Sequence, residues 1–385
     1  MAHVIYLDNS ATTPLDPRVR EAMLPYLGEH FANASSIYSI GREARVTLEE
    51  SRATLAKTIG ADSAEIVFTS GGTEANNYAI TGAIYSAIKK GKSFNDLSIL
   101  SSPIEHHAIL EPVAFLAELG VRTSFTPIDS YGIVGFPPID KSLTLASVML
   151  VNNEVGTIND IKSIASAVKA SAPDALVHSD AVQGLGKTAF DVHDLGVDLL
   201  SISAHKINGP KGIGALYIRR GVQIESLLHG GSQERNRRGG TESLALAMGF
   251  AEAARLASEE FVARAAHLKN LRAYLLNALS AIDGVLINSA TDERSVDGII
   301  NISFVPEILS KLDAEALIFN FDLAGIAVSN GAACTSGTLQ PSHVLLAMGK
   351  GEEVAAKSVR VSLSAANTTL DLDAFITTLK TIVSK

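Results

Sequence analysis

From about residue 60 to residue 220 the chain alternates short apolar runs with longer stretches of helical periodicity. The runs Ile66-Val67-Phe68, Ser98-Ile99-Leu100, Val148-Met149-Leu150-Val151, Leu176-Val177-His178, Leu199-Leu200-Ser201-Ile202 and Ala215-Leu216-Tyr217-Ile218 are read as strands. Helical patterns at 74–90, 107–119 and 161–171 lie between several of them. Strand–helix alternation predicts an α/β fold with a mostly parallel sheet covered by helices on both faces. It also predicts where function sits, because ligands bind such sheets beyond the carboxyl ends of the strands.

A long helical pattern follows at roughly 244–281. Leu268, Leu271, Leu275 and Leu279 recur there at spacings of three and four, which makes one buried stripe. The pattern reads as the link to a smaller α+β C-terminal domain, with strands near Ile299-Ile300-Asn301-Ile302 and Arg360-Val361-Ser362-Leu363. A length of 385 residues suits this division. The expected boundaries are 16–255 for the large domain, and 1–15 with 256–385 for the small one.

Composition narrows the function classes. A net charge of −9 without a clustered basic face speaks against nucleic-acid binding. No uncharged apolar stretch approaches the ~18 residues of a membrane span. The start, Met1-Ala2-His3-Val4-Ile5, lacks the basic and long apolar pattern of a signal peptide. The single cysteine, Cys334, rules out an intrachain disulfide framework and fits a reducing compartment. A soluble, cytoplasmic protein is expected.

Several strand ends carry residues with chemistry. After Phe68 comes Thr69-Ser70-Gly71-Gly72-Thr73-Glu74, then a helix. Glycines admit a close ligand, and a helix N-terminus offers free N–H groups to a phosphate. A plain βα turn capped by Thr73 is the competing reading, and no Walker loop is present. After Leu100 comes Glu105-His106-His107. Adjacent strand residues point to opposite faces, and no HExxH or CxxC set accompanies them, so no metal is expected. A histidine at a strand end can instead stack on a flat cofactor. Asp180 closes an apolar strand, where it either caps a helix or pairs with a cation. Lys206 also closes an apolar strand, after Ser203 and His205 and before a Gly/Pro turn. Most lysines snorkel to solvent, but one removed from water loses pKa and can form a Schiff base. A lysine Schiff base with an Asp on a pyridinium nitrogen marks pyridoxal phosphate sites. Cys334 lies in Ser329-Asn330-Gly331-Ala332-Ala333-Cys334-Thr335-Ser336-Gly337, a setting of small and polar residues that suits a reachable thiol more than a core one.

Over roughly residues 5–370 the chain resembles the cysteine desulfurases of the NifS/IscS type, within the class V aminotransferase group. The resemblance rests on Leu7-Asp8-Asn9-Ser10-Ala11-Thr12-Thr13-Pro14, the Thr69–Glu74 run, Glu105-His106, Val151-Asn152-Asn153-Glu154-Val155-Gly156, Asp180-Ala181-Val182-Gln183, Ser203-Ala204-His205-Lys206, Arg238-Gly239-Gly240-Thr241 and the cysteine segment. It implies the fold of type I pyridoxal-phosphate transferases, with pyridoxal 5′-phosphate as cofactor. Lys206 would hold the cofactor, Asp180 its ring nitrogen, and Gln183 its phenolic oxygen. His106 would stack on the ring and move protons. Gly72, Thr73, Ser203 and His205 would bind the phosphate, and Thr241 would reach the phosphate of a homodimer partner. Arg360, Asn153 and Asn33 would hold the substrate carboxylate, with Asn153 also contacting the cofactor. Lys206 and Cys334, with His106, would carry out the removal of sulfur from L-cysteine, leaving L-alanine and a persulfide on Cys334 for an acceptor such as an iron–sulfur scaffold. A selenocysteine lyase, another class V aminotransferase and a catalytically idle assembly partner are the alternatives. Two positions depart from the family pattern: Ala34 stands for a proline and Tyr38 for a histidine. The stretch after the last predicted helix is expected to lack the longer tail with which some relatives engage a scaffold.

Overall fold

The computed structural model describes residues 4–330 and 340–384. Seven strands form the main sheet: β1 (Ile66–Thr69), β2 (Ser98–Ser101), β3 (Arg122–Phe125), β4 (Leu145–Ser147), β5 (Leu176–Asp180), β6 (Leu199–Ser203) and β7 (Gly214–Ile218). Their spatial order is β1-β7-β6-β5-β4-β2-β3. β7 runs antiparallel to both neighbours, and the remaining pairs are parallel. β5, β6 and β7 are almost wholly buried, as expected of central strands covered on both faces.

Two strands differ from the sequence reading. The fourth begins three residues early, at Leu145–Ser147 rather than 148–151. Past Ser147 the chain still bonds to β5, through Val148 N–H to His178 O and Leu150 N–H to Asp180 O. On its other side the Met149 N–H donates to the carboxylate of Glu105 and not to a strand backbone, so the ladder stops. β3, Arg-Thr-Ser-Phe, escaped the reading because it is an exposed edge strand with little apolar content.

Helices α1 (Ser39–Thr58), α2 (Gly72–Lys89), α3 (His107–Glu118) and α4 (Ile161–Ser171) precede the pattern at 244–281. That pattern is two helices, α5 (Leu244–Glu259) and α6 (Phe261–Ser280). Glu260 separates them with non-helical angles, and its carboxylate is held by Arg18 and Arg264. The break is also where the chain changes core. Leu244, Ala247, Phe250, Ala254 and Ala257 of α5 pack in the core that includes β5 to β7. Leu271, Leu275 and Leu279 of α6 pack in a separate core with Leu7, Ile300, Ile302, Phe304, Val359, Val361 and Phe375. This second core surrounds a three-stranded antiparallel sheet of β8 (Val285–Ile287), β9 (Ile299–Phe304) and β10 (Val359–Ser362). The segments Ile5–Tyr6 and Ile326–Ala327 pair in parallel beside it.

A strained turn joins the main sheet to α5. Glu234, Arg235 and Asn236 all have positive φ, at 47°, 58° and 64°. Left-handed non-glycine residues persist only where their surroundings fix them. Here the buried Glu234 carboxylate receives both ends of the buried Arg52 guanidinium, at 2.5 and 2.9 Å, and the Phe68 N–H at 2.9 Å. Among the described residues no helix is long and apolar enough to cross a membrane.

Candidate active site

A cavity of about 630 Å³ opens at the carboxyl ends of β5 and β6. Ten of the residues singled out from sequence line it: Gly72, Thr73, His106, Asn153, Asp180, Gln183, Ser203, His205, Lys206 and Arg360. Asn33 and Thr241 do not. Asn33 is exposed and accepts the Ser35 N–H at 2.7 Å. Thr241 is exposed and lines a separate hollow with Thr69, Ser70 and Arg238. Cys334 lies outside the described residues; Ser329 and Asn330, just before that stretch, line the cavity.

Asp180 is the last residue of β5 and is buried. One carboxylate oxygen accepts the Val182 N–H at 2.9 Å and the other accepts Asn76 Nδ2 at 2.6 Å. Burial nevertheless raises its pKa above the ordinary carboxylate range. A carboxylate in this state favours a cationic partner. Ser203 ends the neighbouring strand β6, and its buried hydroxyl has no hydrogen-bond partner among the described residues. Beside it lies the N-terminus of α2. A Cβ added at Gly72 would sit 2.7 Å from Val182 Cγ2, so only glycine fits where the helix begins. A Cβ at Gly214 would meet the Gly71 carbonyl carbon at 2.6 Å, so that glycine lets the loop approach the sheet.

Lys206 ends the short helical turn that follows β6. Its Nζ donates to the backbone oxygens of Ser10 at 2.5 Å and Ala11 at 2.8 Å. Burial, then the charge of Arg360, lowers its pKa to about 8. Burial lowers His205 to about 4, so its imidazole is neutral at physiological pH. His106 caps α3: its Nδ1 accepts the Ala108 N–H at 3.0 Å, which places the ring proton on Nε2 and fixes the ring. Burial lowers the pKa of His106 as well.

Arg360, on β10, reaches the cavity from the second core. Its Nη2 pairs with Asp8 Oδ1 at 2.7 Å, its Nη1 donates to the Asn153 carbonyl at 3.2 Å, and its buried Nε has no partner among the described residues. Two contributors escaped the sequence reading. Asp8 lay in a quoted motif without an assigned task. Asn76 was legible only as the position one helical turn after Gly72.

The aminotransferase class-V family model matches residues 5–375. The chain belongs to that family. A cysteine desulfurase IscS from Dictyoglomus turgidum is 44% identical to this class-V chain, over 100% of it and 96% of the relative. A NifS-like protein of solved structure is 35% identical, covers 99% of this chain and 100% of its own, and superposes with a TM-score of 0.90. SspA, solved in complex with cysteine, is 30% identical over 94% of this chain and 99% of its own, with a TM-score of 0.79. This class-V protein is a pyridoxal-phosphate-dependent enzyme. The cavity fits that cofactor: a buried carboxylate suits a protonated ring nitrogen, and an unpartnered hydroxyl beside a helix N-terminus suits a phosphate.

Proposed function

We propose that this enzyme is a cysteine desulfurase. The observation that carries this reading is the joint presence, in one cavity, of the lysine and aspartate of a pyridoxal phosphate site and a carboxylate-binding arginine, bordered by the segment leading to Cys334. Bound there, pyridoxal phosphate supplies an aldehyde that condenses with amines and a ring that accepts the electron pair left at the substrate α-carbon.

The chain's residues divide the remaining work. The N–H groups of Gly72 and Thr73, with Thr73, Ser203 and His205 side chains, hold the phosphate. Asp180 keeps a proton on the ring nitrogen, and the fixed imidazole of His106 supports the ring face. Gln183 donates to the phenolic oxygen. Arg360 and Asn153 hold the carboxylate of L-cysteine, and an assisting role for Asn33, which does not line the cavity, rests on the resemblance alone. A charge-assisted pair of this kind contributes about 1.5–3 kcal/mol. The lowered pKa of Lys206 leaves its amine partly neutral near pH 8, as the removal of the α-proton requires. The thiolate of Cys334 attacks the substrate sulfur. A sulfur–sulfur bond forms, the carbon–sulfur bond breaks, and its electron pair stays with the carbon fragment, which takes up protons and leaves as alanine. Cysteine and one enzyme thiol thus become alanine and one enzyme persulfide, with no external oxidant.

The finer assignments belong to the same proposal. The two separate cores support a division near 16–255 and 1–15 with 256–385 only in part, because Val296, Ile299, Val344, Leu345, Met348 and Ala355 of the C-terminal portion pack in the first core. Thr241, exposed and away from its own chain's cavity, supports a homodimer in which it reaches the partner's phosphate. The persulfide passes to an acceptor protein, an iron–sulfur scaffold being the class that the IscS relatives suggest. The single cysteine supports a cytoplasmic setting. The decisive experiment is Cys334→Ser incubated with L-cysteine. The parent protein should gain one sulfur on Cys334 by mass spectrometry and release alanine, and the variant should do neither. Alanine release by the variant at the parent rate would remove Cys334 from the reaction.

A further inference from the structure

Lys187 is a partly buried cation that the functional reading leaves without a task. It lies seven residues beyond Asp180 and does not line the cavity. Its Nζ donates to Gln183 Oε1. The Nε2 of the same glutamine donates to the Ser10 carbonyl oxygen at 2.9 Å. That carbonyl also receives Lys206 Nζ at 2.5 Å. The bonds therefore run Lys187 to Gln183 to Ser10 to Lys206.

A glutamine amide fits its site either way round, and only its partners decide which end is which. Here one partner, the Lys187 amine, can only donate when it is protonated, and the other, a carbonyl, can only accept. Gln183 is 4% exposed, so its two bonds to Lys187 and Ser10 are largely shielded from bulk water. Its carbonyl is committed to Lys187 and one amino hydrogen to Ser10, which leaves the second amino hydrogen for the cavity that Gln183 lines. We propose that Lys187 is a positioning residue that locks the Gln183 amide with its amino group toward the cavity, so that an anionic oxygen of bound cofactor meets a donor and never a carbonyl. The inference rests on the functional reading above.

The charge of Lys187 reinforces the lock. Burial, then the charges of Lys206 and Arg360, lower its amine to about 7. Below that pH the group is a cation and an obligate donor; above it the neutral amine also accepts, and the lock loosens. The groups acting on Lys187 are the cations Lys206 and Arg360; His205, which Lys187 in turn affects, is neutral in this range.

The test compares Lys187→Met and Lys187→Arg with the parent, using pyridoxal phosphate as the probe. Equilibrium dialysis of the apoprotein is expected to show about tenfold weaker binding for Lys187→Met, the scale of one lost charge-assisted constraint. The pH midpoint of the bound cofactor's visible absorbance is expected to rise by roughly one unit, because a donor and a nearby positive charge no longer favour the anionic oxygen. Lys187→Arg keeps the donor and the charge and should move both quantities back toward the parent. Lys187→Gln, which loses the obligate donor, is read in the same way where Lys187→Met yields no folded protein. Parent-like affinity and midpoint in Lys187→Met, or in Lys187→Gln in that case, overturn the inference and leave the functional reading intact. A parent protein that takes up no pyridoxal phosphate overturns both.

Discussion

The part of the cavity built on the main sheet and the part reached from the second core differ in how their polar groups are satisfied. At the ends of β5 and β6, Asp180 is a carboxylate disfavoured by burial, and Ser203 has a hydroxyl without a described partner. Around β10, Arg360 already holds Asp8 and the Asn153 carbonyl, and only its Nε is without a partner among the described residues. The first part is unfavourable until a ligand arrives; the second is a formed ion-pair arrangement that a ligand must join or displace. Cofactor should therefore be held tightly by the sheet ends, and substrate more weakly and exchangeably by Arg360.

Substitutions test this contrast in order of expected effect. Lys206→Ala removes the group proposed both to hold the cofactor and to move the α-proton. Turnover should fall by about 10²–10⁴-fold or more, and the lysine-linked visible absorbance should vanish; an unchanged spectrum would place the attachment elsewhere. Arg360→Lys removes the bidentate fork but keeps the charge. The KM for L-cysteine should rise by about 10–100-fold while pyridoxal phosphate affinity stays near the parent value. A loss of cofactor affinity as large as the rise in KM would erase the distinction between the two parts.

Asp180→Asn probes the cost of an unfilled sheet end. The Asn76 Oδ1 is buried without a described partner, so an Asn76 flip satisfies the new amide. The apoprotein should gain stability at pH 7, because a buried charge disfavoured by desolvation is removed, and lose cofactor affinity at the same time. The pH dependence of this difference from the parent has a fixed sign. Because burial raises the folded pKa of Asp180 and of Glu105, the native state binds more protons than the unfolded one between the ordinary carboxylate range and the raised values. The contribution of these two carboxyls to apoprotein stability therefore falls as pH rises through that window, while the buried histidines His106, His178 and His205, whose pKa values are lowered, act in the opposite direction, so the expected outcome is that the stability of Asp180→Asn relative to the parent rises with pH. Chemical denaturation across pH 4–7 reads this directly. The smallest effect is expected for Asp8→Asn, which leaves Arg360 in place but less firmly aimed: a rise in KM of about 3–10-fold, the scale of one partly buried ion pair.

The same contrast separates what could be read from sequence. Asp180, Ser203 and Lys206 were visible as polar residues closing apolar runs, because a strand and the residue at its end are adjacent in the chain. Arg360 was visible only through resemblance, since nothing local marks one arginine in a buried strand as a ligand-binding group. Asp8 was quoted but left without a task, as its partner is 352 residues away. Lys187 was not singled out at all, because its role depends on which way a glutamine side chain faces.

Sequence alone determined the layered α/β architecture, the strand ends at which chemistry sits and the family of the chain, because all three follow from short-range periodicity and local motif order. The tertiary structure alone decided that α5 and α6 serve different cores, that Arg360 approaches already paired with Asp8, and that Gln183 is held from behind by a lysine. The first two depend on contacts between segments distant in sequence, and the third on a four-residue contact whose direction is set by its neighbours; all are settled by burial and by the matching of donors to acceptors, which leave no periodic signature in the chain.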